Sequence, residues 1–218
     1  MNLDKIPEAT NAHWLELATN IFEPTVVDNK YEVYPLLGTD SVHGDQHVLD
    51  TVLFPHNIGL AATHDKECFK ATGYYTAKGV LESGFNYGFV PTVAVSHNPQ
   101  WGRYYETMGS DPDLIYEYAA AFVEGAQLPN PETGKMDGIL ASAKHFLGDG
   151  ATFWGIDQGN NTVYNMKAFL ERNYQGYSGA VSQCVGNVMC SYSAVNFIPM
   201  AANSFLLNGV LKEGLLDG

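Results

Sequence analysis

Residues 139–162 read ILASAKHFLGDGATFWGIDQGNNT, and this stretch decides the fold. It opens as an apolar, β-prone run through Ile139, Leu140, Ala141 and Ala143. Its character changes at Lys144-His145, where a cation and a titratable ring stand beside Phe146, and a Gly-rich polar loop follows. A buried strand that ends in charged residues and then in glycines places side chains at the rim of a sheet. In α/β folds the rim at the strand C-termini is where chemistry is kept.

Working outward, the same alternation recurs. Tyr31–Gly38 reads as a strand, imperfect as an interior one because of Pro35, and the polar run Thr39–Gly44 follows it. Leu53–Gly59 reads as a loop. Asp65–Leu81 has helical spacing, with Phe69, Gly73, Thr76 and Val80 on one side and Gly84 as terminator. Phe85–Val95 is a second β-prone run, after which come Trp101, Arg103 and Glu106. Asp111-Pro112 signals a helix start, with Leu114, Ile115, Tyr118, Ala119, Phe122 and Ala126 at helical spacing behind it. Residues 128–135 form a connection, 165–185 a broken helical region, and Asn187–Tyr192 a fourth strand; Asn203 caps a last helix. Near the start, Trp14–Phe22 predicts a short helix ended by Pro24.

Strands alternating with helices predict a parallel sheet with helical crossovers. Four such units make about half of an eight-fold barrel, so the fold class is α/β, an incomplete (β/α)8 TIM-type barrel. A small doubly wound sheet is the alternative. The expected division is a helical lead-in over residues 1–30 and a partial barrel over residues 31–218.

The chain has 218 residues, 45% of them hydrophobic, enough for a sizeable core. It carries 24 acidic residues against 11 Lys and Arg, a net charge of −13, which argues against nucleic acid as a partner. No stretch approaches a membrane span, and no signal peptide is visible in the first 30 residues, which leaves localisation open. Cys68, Cys184 and Cys190 have no metal-ligand spacing and read as buried small side chains or free thiols. His43 and His47 lie four apart, but the Gly44 between them disfavours a helical metal pair, so no metal and no cofactor are expected. Asn160-Asn161-Thr162 fits the glycosylation pattern, which is weak at this length.

Polar groups of complementary kinds follow the four strand ends: Asp40, Arg103, Lys144 with His145, and Tyr192. In a barrel these face one end and converge on one ligand. A carboxylate, two cations, an imidazole and a phenol match the many donors and acceptors of a sugar once water is removed. The local alternative for each is a structural role, such as Asp40 capping its loop. Glu106, Asp149 and Asp157 are candidates for paired-carboxylate chemistry, with capping or surface roles as the plainer reading.

The motifs GTDSVHG (38–44), TVLFPHNIGLAAT (51–63), NPQWGRYYETMGSDPDL (98–114), AKHFLGDG (143–150) with GIDQG (155–159), and VMCSYSAVN (188–196) occur here in order. In that order they resemble the N-terminal barrel domain of glycoside hydrolase family 3, as in β-glucosidases and exo-β-glucanases, over Tyr31–Gly218. The resemblance implies a retaining, exo-acting hydrolase that grips a terminal sugar of a β-linked glucoside or oligosaccharide. It places Asp40, Arg103, Lys144 and His145 in the sugar subsite and Tyr192 near the reacting centre. It also implies that the nucleophile Asp lies just beyond Gly218 and the acid/base Glu further still. This chain is therefore expected to be a fragment, with no catalytic carboxylate of its own and prone to aggregate through its open sheet edge. Gln158 departs from the Glu of exo-glucanase relatives. Val195-Asn196-Phe197 stands where those relatives carry Trp-Asn-Gly and lies nearer the glucosidase and xylosidase branches. Relatives of full length are often secreted or periplasmic.

Overall fold

The computed structural model describes residues 9–27, 30, 33–49 and 51–214. Helix α1 (Asn11–Val27) runs through Pro24 instead of stopping there. Proline cannot donate the interior hydrogen bond. Beside it the hydroxyl of Thr25 donates to the carbonyls of Ile21 and Phe22.

The first strand, β1, is only Gly38–Thr39. Tyr31 and Glu32 lie outside the described residues, and Val33, Tyr34 and Leu36 are exposed rather than laddered. Pro35 offers no N–H for pairing, and Asn86 takes over the junction: its side chain receives the Leu37 N–H and donates to the Pro35 carbonyl. Residues 53–59 are not all loop, because α2 (Asn57–Ala61) begins there. The buried amide of Asn57 donates to the Glu106 carbonyl at 2.9 Å and fixes that turn.

Helix α3 (Lys66–Glu82) starts where the sequence places it, with Asp65 accepting the Glu67 N–H. Phe69, Gly73, Thr76 and Val80 are all buried, and Gly84 ends the helix at φ +84°. Strand β2 (Tyr87–Gly88) is followed by the run to Val95, which stays hydrogen-bonded to the next strand through Val93 N and Lys144 O. Helix α4 (Pro112–Gln127) is capped by Asp111, which accepts from Asp113 and Leu114 N–H, and it packs between the helices on either side.

Strand β3 (Leu140–Phe146) is buried on both faces, as a barrel strand must be. After it come β4 (Asn160–Asn161), α5 (Met166–Asn173) and α6 (Gln175–Ser182), then β5 (Asn187–Cys190), β6 (Ala194–Val195) and β7 (Ile198–Pro199). The fourth predicted strand thus ends at Cys190, before Tyr192. The final helix is π-helical, Phe205–Lys212, with Asn203 Oδ1 accepting from Leu206 N–H.

The main sheet has order β1-β2-β3-β5, all parallel, which is the (β/α) half of a TIM-type barrel. Its strand C-termini therefore share one edge. A second sheet, β4-β6-β7, is built from the segments that leave β3 and β5 at that edge and was not foreseen; its strands are two residues long, too short to show alternation. The core lies between β3 and α3, α4 and α6, built on Phe69, Phe122, Ile139, Phe146 and Tyr177.

Candidate functional site

Three of the five residues singled out from sequence meet at the C-terminal edge of the sheet. Asp40 directly follows β1, Lys144 sits in β3, and Arg103 comes from the long connection after β2. All three line a cavity of about 370 Å³, near the lower end of small-ligand sites. The Lys144 ammonium donates to Asp40 Oδ1 at 2.9 Å; its side chain is 3% exposed and that of Asp40 is 52% exposed. An ammonium has three N–H donors, so two remain for a ligand.

Arg103 Nε donates to Glu106 Oε1, and Thr92 Oγ1 donates to Glu106 Oε2 at 3.0 Å. Burial of Glu106 opposes its ionisation. The hydrogen bond and charge of Arg103, the Thr92 hydroxyl and the charge of Lys144 outweigh burial, and the carboxyl is held below its ordinary value. Burial likewise pulls Arg103 down, but Glu106 above all, with Asp149 and Asp157, more than compensates and keeps it charged. Glu106 is thereby an anchor for Arg103. It is not poised as an acid, the role weighed for it from sequence.

The same cavity is also lined by rings that the sequence did not assign to the site. His43 lies against His56 with centroids 4.1 Å apart and ring planes tilted by 45°, and His56 meets Tyr105 edge-on at 4.7 Å. His43 Nδ1 contacts the Phe54 carbonyl at 2.9 Å, which orients the ring. Burial first, then the neighbouring His43, push His56 below its ordinary pKa, with Glu106 opposing. His47 also lines the cavity, but among the described residues no group of three or more His, Cys, Asp or Glu is placed to hold a metal ion. A signal for His43 and His56 was present, since each stands next to a turn residue in a quoted motif, but neither lies on a strand end.

His145 and Tyr192 are placed differently. The pairing of β3 with β5 slips between Lys144 and Phe146, so His145 is the extra residue of a bulge. Its Nδ1 lies 2.8 Å from Asp149 Oδ2, and it does not line the cavity. Tyr192 is 84% exposed on the same edge and also stands apart from the cavity walls. Cys68, Cys184 and Cys190 are unpaired, and Cys184 is exposed rather than buried. No described helix is long and apolar enough to cross a membrane.

The arrangement offers two cations, each held by a carboxylate, in the wall of one small cavity that imidazole and phenol groups also line. Such a set suits a neutral polyhydroxylated ligand better than an anion, because the positive charges are already balanced.

The sequence profile of the Glycosyl hydrolase family 3 N terminal domain matches residues 9–216. A lysosomal beta glucosidase of Dictyostelium discoideum is 30% identical over 211 residues, covering 93% of this chain and 25% of that protein. The crystal structure of an exo-1,3/1,4-beta-glucanase from a Pseudoalteromonas species superposes with a TM-score of 0.88 at 37% identity, covering 95% of this chain and 26% of that one. A D270A mutant beta-glucosidase from Listeria innocua, solved with laminaribiose, gives 0.77 at 26% identity, over 92% and 27%. The chain thus spans about a quarter of the length of these relatives.

Proposed function

This chain belongs to glycosyl hydrolase family 3, and from that premise we propose that it is the sugar-gripping part of a retaining, exo-acting β-glycosidase. Its substrates in this reading are β-linked glucosides or oligosaccharides, with a terminal β-D-glucosyl or related residue held in the cavity. One observation carries the proposal: Lys144, almost wholly buried, is paired with a half-exposed Asp40 at the wall of a small cavity that Arg103 also lines. A buried ammonium is costly to desolvate, and spare donors beside an accessible carboxylate are what two neighbouring ring hydroxyls take up. His145, its ring held by Asp149, and the exposed Tyr192 stand at the same edge outside the cavity walls, and in this reading they meet parts of the ligand that extend beyond the cavity.

The two reacting carboxylates, about 5–5.5 Å apart in a retaining enzyme, are in this reading contributed by residues outside these 218. In support, Asp40, Glu106 and Asp149 are each engaged by a basic side chain. The same observation favours a second reading, a carbohydrate-binding unit without hydrolysis. Calorimetric titration with glucose, alongside an aryl β-glucoside hydrolysis assay on the 218-residue protein, tests both. Glucose binding without turnover is the expected result. Absence of binding overturns the sugar subsite, and turnover overturns the assignment of the reacting carboxylates elsewhere.

A further inference from the structure

The loop after β3 carries a feature that the cavity does not use. Phe153 and Trp154 are 62% and 71% exposed, with ring centroids 5.9 Å apart, and Ile156 beside them is 60% exposed. Three exposed apolar residues within four positions cost solubility unless something covers them.

The loop is built to hold this posture. Trp154 sits in the left-handed region at φ 59° and ψ 15°, which a bulky side chain rarely adopts. Such a conformation persists where the surroundings fix it. Here Gly155 N donates to Thr152 O at 3.0 Å, and Thr152 Oγ1 donates to Ile156 O at 2.7 Å. Gly155 also lies so close to the 98–101 segment that a Cβ would come within 2.9 Å of Trp101 N. Finally, the buried Trp101 donates its indole N–H to Asp157 Oδ1 at 3.1 Å.

That anchor also gives the platform its address. Trp101 is two residues from Arg103, and Asp157 lies within electrostatic reach of the Arg103 guanidinium. Trp154 is three residues from Asp157, so at most about 10 Å of chain separates them. The aromatic pair is therefore tied, through Asp157 and Trp101, to the segment that carries Arg103 into the cavity wall.

We propose that Phe153 and Trp154 form a stacking platform for the second ring of a β-linked oligosaccharide whose terminal ring occupies the Asp40–Arg103–Lys144 cavity. The proposal rests on the sugar-subsite reading above. An equatorially substituted pyranose shows a flat C–H face that leaves water when it lies on an aromatic ring, while its hydroxyls stay at the edge in solvent. The platform thus selects for chain length and leaves the terminal hydroxyls to the cavity. Covering roughly 50 Å² of apolar surface corresponds to about a tenfold gain in affinity.

The test is calorimetric titration of the 218-residue protein with glucose and with laminaritriose, repeated for Trp154→Ala, Trp154→Phe and Lys144→Met. Wild type should bind the trisaccharide about tenfold tighter than glucose. Trp154→Ala should erase that advantage with glucose affinity unchanged, and Trp154→Phe should keep most of it. No advantage in wild type, or an advantage that survives Trp154→Ala, overturns the platform. Glucose binding that Lys144→Met leaves intact fails the cavity reading and leaves the Trp154 result to stand alone. If neither sugar binds, both fall. Self-association lost in Trp154→Ala with sugar affinity unchanged assigns the patch to a protein contact and overturns the proposal.

Discussion

Replacing Lys144 with Met should separate binding from stability. The pair is asymmetric: the Lys144 side chain is 3% exposed, whereas its partner Asp40 is 52% exposed. Asp40 remains hydrated without its cation, and the buried Glu106, which also feels the Lys144 charge, keeps its bonds to Arg103 and Thr92, so no buried charge is orphaned. The screened attraction lost is then about 0–1 kcal/mol, as for exposed pairs. Against this, removing a buried ammonium relieves a desolvation cost of several kcal/mol, and Met fills a similar volume with an adaptable apolar chain. Folding stability should therefore stay within about 1 kcal/mol of wild type or rise. Binding behaves oppositely. Two charge-assisted hydrogen bonds to sugar hydroxyls, each worth about 1.5 kcal/mol, are lost together. Their sum of about 3 kcal/mol weakens binding roughly a hundredfold. Urea unfolding and calorimetric glucose titration of both proteins measure the two quantities. A loss of more than about 3 kcal/mol in stability with an unchanged Kd would refute the reasoning and make Lys144 a structural cation.

The remaining predictions concern the frame around the site. In α3, Gly73→Ala would set a Cβ 2.3 Å from the Phe122 carbonyl, whereas the nearest atom to a Cβ at Gly79 is 3.4 Å away. The first should cost about 2 kcal/mol or more, and the second should gain up to about 1 kcal/mol from helix propensity, both read by thermal or urea unfolding. For Glu106 the folded pKa is depressed below 4.5, so its contribution to stability is fully present above that value and lost as pH falls through the folded value. Stability against pH measured down from pH 5 should therefore fall less steeply in Glu106→Gln than in wild type; parallel curves would remove Glu106 from the account. The parallel sheet leaves β1 and β5 with one unpaired side each among the described strands. The isolated protein should accordingly self-associate in size-exclusion chromatography, and a monodisperse monomer with one cooperative melt would contradict this.

Much of the frame is legible in the sequence because the signals are local. Asp65, Asp111 and Asn203 accept hydrogen bonds from first-turn N–H groups where the polar-before-apolar pattern places helix starts. Phe69, Thr76 and Val80, or Ile115, Tyr118 and Phe122, repeat at the helical period and are buried. What is not local is not legible. The shortness of β1 depends on Asn86, about fifty residues away. At the site, Asp40 and Lys144 meet across 104 positions because parallel strands bring their C-termini to one edge, an inference the alternation supports. The His43–His56–Tyr105 cluster joins a turn, the start of α2 and a short helical turn, and no periodicity reports on such a joint. Glu106 shows the same limit: its residue type suggested acid–base work, and only the surrounding Arg103 and Thr92 reveal it as an anchor.

The central claim is that one small cavity at the sheet's C-terminal edge was made to hold a terminal sugar ring. A crystal structure of the protein soaked in glucose addresses it most directly. The account predicts one pyranose in that cavity, with ring hydroxyls hydrogen-bonded to Asp40, Arg103 and Lys144. An empty cavity at saturating sugar, or a sugar bound elsewhere on the surface, would contradict it.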